Sequence, residues 1–225
     1  MKERQYVPKV VVFFGADGVG KSTQVQLLIK HLKSQKRRPL RVWIRGRHSI
    51  AFILSNFLMM LGYYRTVTVP SGVVYRIFDP WLLPKLQRVW GFIEFVSILP
   101  WVILKVYLPK IFGYTIVAER YIIDTVVYLG YWLGYDFLHS FLARVMLSFI
   151  PKKSALIHLD AETQILIKRL MRIRYDIATE DYIAFQLKVY RMLSRMLKAT
   201  TINTSKYNEE EVFQRVVKVL YLNAS

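Results

Sequence analysis

The run Gly15-Ala16-Asp17-Gly18-Val19-Gly20-Lys21-Ser22-Thr23 constrains this chain more than any other feature. It matches the pattern of a glycine, four residues, a second glycine, lysine, then serine or threonine, and it follows the apolar run Val10-Val11-Val12-Phe13-Phe14. Strand, glycine-rich loop and helix in that order are the context a phosphate-binding loop requires. Glycines let the backbone turn its N–H groups inward around phosphate oxygens. The start of the next helix adds its positive end at the same point. Lys21 can then reach β- and γ-phosphates, and the Ser22 hydroxyl can ligate a magnesium ion. An ordinary strand-to-helix turn would have no need of Lys-Ser-Thr.

Four further runs read as strands: residues 40–44 after the basic turn Lys36-Arg37-Arg38-Pro39, residues 114–118 after Gly113, residues 155–159 after Pro151-Lys152-Lys153, and, most weakly, residues 201–203. Helical patterns fall between them, over 21–34, 50–61, 84–108, 122–133, 137–149, 161–173, 179–198 and 209–222. Apolar strands alternating with helices imply a parallel sheet covered on both faces. The length of 225 residues suits one α/β domain spanning 1–225. Pro100 is expected to bend or break the long helix, because proline gives no N–H and crowds the preceding turn. Trp81, Trp90 and Trp101, in or beside that helix, read as core packing, with a dimer interface as the alternative.

Composition removes several kinds of chemistry. There is no cysteine, which excludes disulfides, thiolate metal sites and cysteine nucleophiles. His31, His48, His139 and His158 show no metal-ligand spacing. Lys+Arg number 33 against 15 Asp+Glu, a net charge of +18 that favours anionic partners without choosing among them. No long lysine or arginine block reads as a nucleic-acid tail, so nucleic acid is not an expected partner. The chain is also apolar, at 54% hydrophobic residues. A membrane-spanning helix needs about 20 apolar residues. Residues 95–104, bounded by Glu94 and Lys105 and interrupted by Pro100, therefore read as a buried helix, and a membrane is not an expected partner. The early apolar run leads straight into the phosphate loop and is too short for a signal-peptide core, which makes the cytoplasm the expected location.

The run 114–118 ends in Glu119-Arg120-Tyr121. The carboxyl edge of parallel strands is where α/β folds bind ligands. There Glu119 can hold a magnesium-bound water or accept a proton, and Arg120 can make paired hydrogen bonds to a phosphate. Together with the phosphate loop, this motif resembles the thymidylate kinase family, among the nucleoside monophosphate and deoxynucleoside kinases. GADGVGKST is similar to that family's phosphate loop, including the acidic Asp17, and GYTIVAERY to its strand and Asp/Glu-Arg-Tyr motif. Tyr128 and Gly130 fall where the family has a tyrosine and a glycine. LIHLDAETQILIKRL resembles the strand and helix before its lid, the run Lys168, Arg169, Arg172, Arg174 and Asp176 the lid itself, and FQLKVYRML, with Tyr190, the helix after it.

The resemblance implies a three-layer P-loop NTPase fold with a five-stranded parallel sheet, with ATP and Mg²⁺ as donor and cofactor and a nucleoside monophosphate as acceptor. It implies dTMP phosphorylation, with a kinase of another acceptor or a non-catalytic ATP-binding protein as alternatives, and a homodimer. ATP would be held by Gly15, Asp17, Gly18, Val19, Gly20, Lys21, Ser22, Thr23 and Arg169, and the metal by Ser22 and Glu119. Asp17, Lys21, Glu119, Arg120, Arg172 and Arg174 would carry catalysis. The lid arginines also admit a plainer reading as basic residues complementing a helix dipole. Asp17, Arg45, Arg47, Arg120 and Tyr128 would face the acceptor, in a region of about 45–112, with the lid at about 168–180.

The acceptor side departs from the family. The Arg-Glu-Pro-Gly segment after the second strand is here Arg45-Gly46-Arg47-His48. The arginine of the third helix falls at about Leu99, a serine after the Arg-Tyr pair is replaced by Asp124, and a base-reading glutamine by Leu129. Arg47 or His48 is the candidate replacement for the missing arginine. All four differences touch the acceptor, so phosphotransfer from ATP is read more firmly than the identity of the acceptor.

Overall fold

A computed structural model describes residues 7–44, 48–68, 74–172 and 180–222, with backbone alone at Arg88, Arg172 and Leu222. Strand β1 (Val10–Phe14) is buried along its whole length and leads through the phosphate loop into α1 (Lys21–Ser34). Next come β2 (Pro39–Trp43), α2 (Ser49–Met60) and a hairpin of β3 (Tyr64–Thr68) and β4 (Val74–Phe78). Helix α3 (Pro84–Val102) then runs through a wide turn at Ile103–Tyr107 into the short α4 (Leu108–Ile111). The chain continues through β5 (Thr115–Arg120), α5 (Ile122–Leu133), α6 (Phe141–Ser148), β6 (Ala155–Asp160), α7 (Thr163–Arg172), α8 (Glu180–Met196), β7 (Thr200–Asn203) and α9 (Glu209–Leu222).

The main sheet has the order β2-β5-β1-β6-β7 and every pairing is parallel. Val11 of β1 lies between Val117 of β5 and Ala155 of β6. Parallel strands buried on both faces read as unbroken apolar runs, which is why β1 and β5 show in the sequence. Helix α1 packs beside α9, and α5 beside α8, so the sheet is flanked by helices. This is the α/β P-loop NTPase architecture expected from the sequence. Its middle strand ends in the phosphate loop.

Two features differ from expectation. The β3–β4 hairpin, paired from Tyr64↔Phe78 to Thr68↔Val74, is a separate two-stranded sheet that carries no long apolar run. Helix α3 does not break at Pro100. The irregularity comes later, where Leu108 N–H donates five residues back to Ile103. Pro109 follows at once and has no N–H to give to the Lys105 carbonyl, so the wide turn sits where α-type bonding is already lost. The long helix is also not buried all round. Trp90, Glu94, Ile98, Val102 and Val106 face inward, whereas Phe92, Ile103, Leu104 and Leu108 are exposed. The three tryptophans divide likewise: Trp90 is buried 4.6 Å from the Phe78 ring, Trp101 donates to Ser49 Oγ (3.0 Å), and Trp81 is exposed.

Candidate active site

Two glycines make the loop possible. Gly15 has φ +144°, and a Cβ there would lie 2.2 Å from the Leu159 carbonyl oxygen of the neighbouring strand. Gly20, φ +93°, caps α1 in the left-handed region that side chains resist. Lys21 opens α1 and is buried, and its Nζ donates back to the carbonyl oxygens of Gly15 and Ala16, both at 2.6 Å. Ser22, next along the helix, donates to Glu119 Oε1 at 2.5 Å. The loop lysine and hydroxyl thus stand at the edge where β1 and β5 end.

Asp17, Gly18, Gly20, Lys21, Ser22 and Thr23 share a cavity of about 290 Å³ with Glu119, Arg120, Arg169 and Leu170. Most of the residues singled out in the sequence therefore converge. Val19 belongs instead to the fully buried core beneath the loop. Arg169, on α7, is fastened to Thr204 beyond β7 through Oγ1 (3.1 Å) and the carbonyl (2.9 Å). Tyr128 does not line the cavity. It sits half-buried on α5 beside the Trp132 ring, 6.3 Å away. Arg45, Arg47, Arg174 and Asp176 lie outside the described residues, as does the side chain of Arg172.

A buried polar network underlies the cavity. Arg120 bonds Asp17 and also donates to Asp124 Oδ1 at 3.0 Å. Asp124 further accepts from the Tyr190 hydroxyl (2.7 Å) and the Tyr121 backbone N–H (3.1 Å). Gln186 accepts from the Asp17 backbone N–H (3.0 Å) and donates to its carboxylate (3.2 Å). Asp124, the replacement for a serine, thus holds Arg120, closes the start of α5 and anchors α8 at once.

Sequence reasoning missed two contributors. Arg41 on β2 donates through Nε to Glu119 Oε2 (2.8 Å) and forms an ion pair with the same carboxylate. Glu119 therefore carries Ser22 on one oxygen and Arg41 on the other. Gln186 was the second. Arg41 had a faint signal, as a polar position in the alternation of an edge strand; Gln186 had none. His48 was the other candidate replacement for the missing arginine. It precedes α2 with its ring 5.7 Å from that of Trp101, and burial, then the Lys105 ammonium, pushes its pKa below 6.5. Both influences favour the neutral ring.

Fold and loop together make this a P-loop NTPase architecture with Glu119 and Arg120 facing the phosphate loop. No family model matches the chain. It is 25% identical to the thymidylate kinase of Rickettsia typhi over 227 aligned positions, which cover 94% of this chain and 97% of that protein. It is 24% identical to the thymidylate kinase of Caldicellulosiruptor saccharolyticus over 221 positions, covering 94% and 95% respectively. The chain is thus similar, at a distance, to thymidylate kinases along nearly its whole length.

Proposed function

We propose that this protein transfers the γ-phosphoryl group of ATP to a nucleoside monophosphate, with dTMP, yielding dTDP, as the first acceptor to consider. The observation that carries this reading is the single cavity shared by Lys21, Ser22, Glu119, Arg120 and Asp17. An acceptor phosphate oxygen attacks the γ-phosphorus while the bond to the β–γ bridging oxygen breaks, and ADP leaves. No covalent intermediate is needed, so catalysis rests on positioning and charge. Lys21 would exchange the Gly15 and Ala16 carbonyls for phosphate oxygens. Arg169, Arg172 and Arg174 would offset charge from the lid side.

Magnesium fits the donor set. The Ser22 hydroxyl and the Glu119 carboxylate are hard oxygen donors that meet at the loop, and Mg²⁺ takes few protein ligands beside water and phosphate. When bound it would neutralise charge on the β- and γ-oxygens. Arg41 would keep Glu119 aimed at that point.

The test is ADP formation from Mg²⁺-ATP against a panel of nucleoside monophosphates. Turnover is expected to be strongest with dTMP and to fall at least about a hundredfold in Lys21→Ala, the scale of losing a donor aimed at developing charge. Brisk ATP hydrolysis without acceptor, or ATP binding without turnover on any nucleotide, overturns the reading. Asp124 favours a second one, a kinase of a different acceptor. Arg120 is held between two carboxylates, so an incoming phosphate competes with both. In the same panel, another nucleotide outpacing dTMP is its signature.

A further inference from the structure

All five strands of the main sheet run the same way, so their amino ends share one edge, opposite the phosphate loop. Cations gather there. Lys36, Arg37 and Arg38 turn into β2, Lys9 precedes β1, Lys152 and Lys153 precede β6, and Lys198 precedes β7. All but Arg37 are exposed. The sheet sets them in one row. Thr115 N–H donates to the Arg38 carbonyl (2.9 Å) and Ile116 N–H to that of Lys9 (2.8 Å), so these two residues flank the start of β5. Tyr114, 37% exposed, stands between them. Val11 pairs with Ala155 and Ile157 with Thr200, which carries the row on to Lys153 and Lys198.

The opposite charges are kept apart. Residues 4–16, 24–43, 95–118, 137–159 and 182–208, the stretches that lead into the five strands, contain no Asp or Glu. Carboxylates follow the other ends of the strands instead, at Asp17, Glu119, Asp160 and Glu209. The lysines also hold a costly backbone. φ is 58° at Lys36, 63° at Lys153 and 52° at Lys198, the left-handed region where glycine is the ordinary choice. Helices α1 and α8 close in the same way: Arg37 N–H returns to the Leu32 carbonyl (3.0 Å) and Ala199 N–H to that of Ser194 (2.9 Å). Lys36 and Lys198 thus occupy the position that glycine usually takes. Complementing a helix dipole does not require this, since Lys33 and Arg195 already do so inside the last turns. Lys9, Lys152 and Lys153 belong to no helix.

Neighbouring strands stand about 4.8 Å apart, so the five draw these cations into a line of about 20 Å. A bilayer presents a plane and rewards apolar side chains that sink into it. A line of cations with an aromatic ring in it matches a single nucleic-acid strand, whose phosphates the cations track and whose bases stack on the ring. We propose that the amino edge of the main sheet binds single-stranded nucleic acid through its backbone, without reading its sequence. This departs from the expectation, drawn from the sequence, of no nucleic-acid partner. The cations are scattered over four separate turns in the sequence and meet only in the fold.

The test is fluorescence anisotropy of a labelled oligothymidylate titrated with the full chain across a salt series. Binding is expected at low salt, with log K falling linearly as log salt rises. Lys36→Gly combined with Lys153→Gly and Lys198→Gly should weaken binding and make the slope shallower by about 2, at about 0.7 for each phosphate contact of a single strand. Glycine suits the left-handed backbone, so the circular dichroism melt should not fall. Should that triple variant unfold, Lys9→Gln with Lys152→Gln reads the same row. Lys85→Gln with Lys188→Gln and Lys206→Gln removes as much charge from exposed positions off the edge and should bind as the parent does. Absence of binding at low salt overturns the proposal, as do equal losses in the two triple variants. So does preferential binding to phosphatidylglycerol vesicles that the glycine triple abolishes, which would make a bilayer the occupant.

Discussion

His158 shows how far a single residue can be tied to the site without entering it. It pairs with Phe14 across β6 and β1, and the two rings stack at 5.2 Å. Its Nδ1 meets Thr201 Oγ1 at 3.2 Å, and its Nε2 has no partner among the described residues. Burial lowers its pKa from 6.5 to about 4; the Asp160 carboxylate opposes the shift, and Arg191 and Lys21 add to it. The unfolded chain therefore takes up this proton at higher pH than the folded one. The stabilisation is complete above pH 6.5 and is lost as pH falls towards 4, by up to about 3 kcal/mol. Urea midpoints measured across that window should fall less steeply in His158→Gln than in the parent. Parallel curves would mean the proton is bound elsewhere.

At the scale of elements, the phosphate loop depends on how closely β1 passes β6. Gly15→Ala would drive a Cβ to 2.2 Å from Leu159 O at φ +144°. Gly113, φ +82°, has nothing within 4 Å of such a Cβ. The two substitutions share a positive φ, which costs about 1 kcal/mol. Denaturation should find Gly15→Ala the more damaging, by about 2 kcal/mol or more, because backbone in the sheet must move as well. Equal losses would show that the close approach is not what selects glycine. This loop was legible because all its determinants are local. So were β1 and β5, buried along their whole length, and α1, α5 and α9, whose ends fall where the pattern put them. The hairpin was not, because both strands are half exposed and carry Arg65 and Arg76 among their β-branched residues. The partners of Glu119 and Asp17 were hidden for another reason. Arg41 meets Glu119 across 78 residues and Gln186 meets Asp17 across 169, and no local pattern encodes such contacts.

At the scale of the whole molecule, the phosphate loop closes on its own lysine. Lys21 spends its donors on the Gly15 and Ala16 carbonyls, and Glu119 is held by Ser22 and Arg41. A nucleotide must replace these bonds, so its gain is measured against a loop already satisfied. The residues concerned join α1 and the loop after β1 to β5 and the edge strand β2, and β1 and β5 are inner strands of the sheet. A ligand bound there favours the folded state over the unfolded one for the entire cooperative unit. Mg²⁺-ATP at a hundredfold excess over its Kd should add about 2.7 kcal/mol and raise the melting temperature by about 5–10 °C for a chain of this size. Lys21→Ala should retain the melt of the free protein within a few degrees and lose most of the ATP-dependent rise. If instead ATP stabilises the variant as much as the parent, nucleotide binds away from the loop, and the shared cavity no longer carries the functional reading.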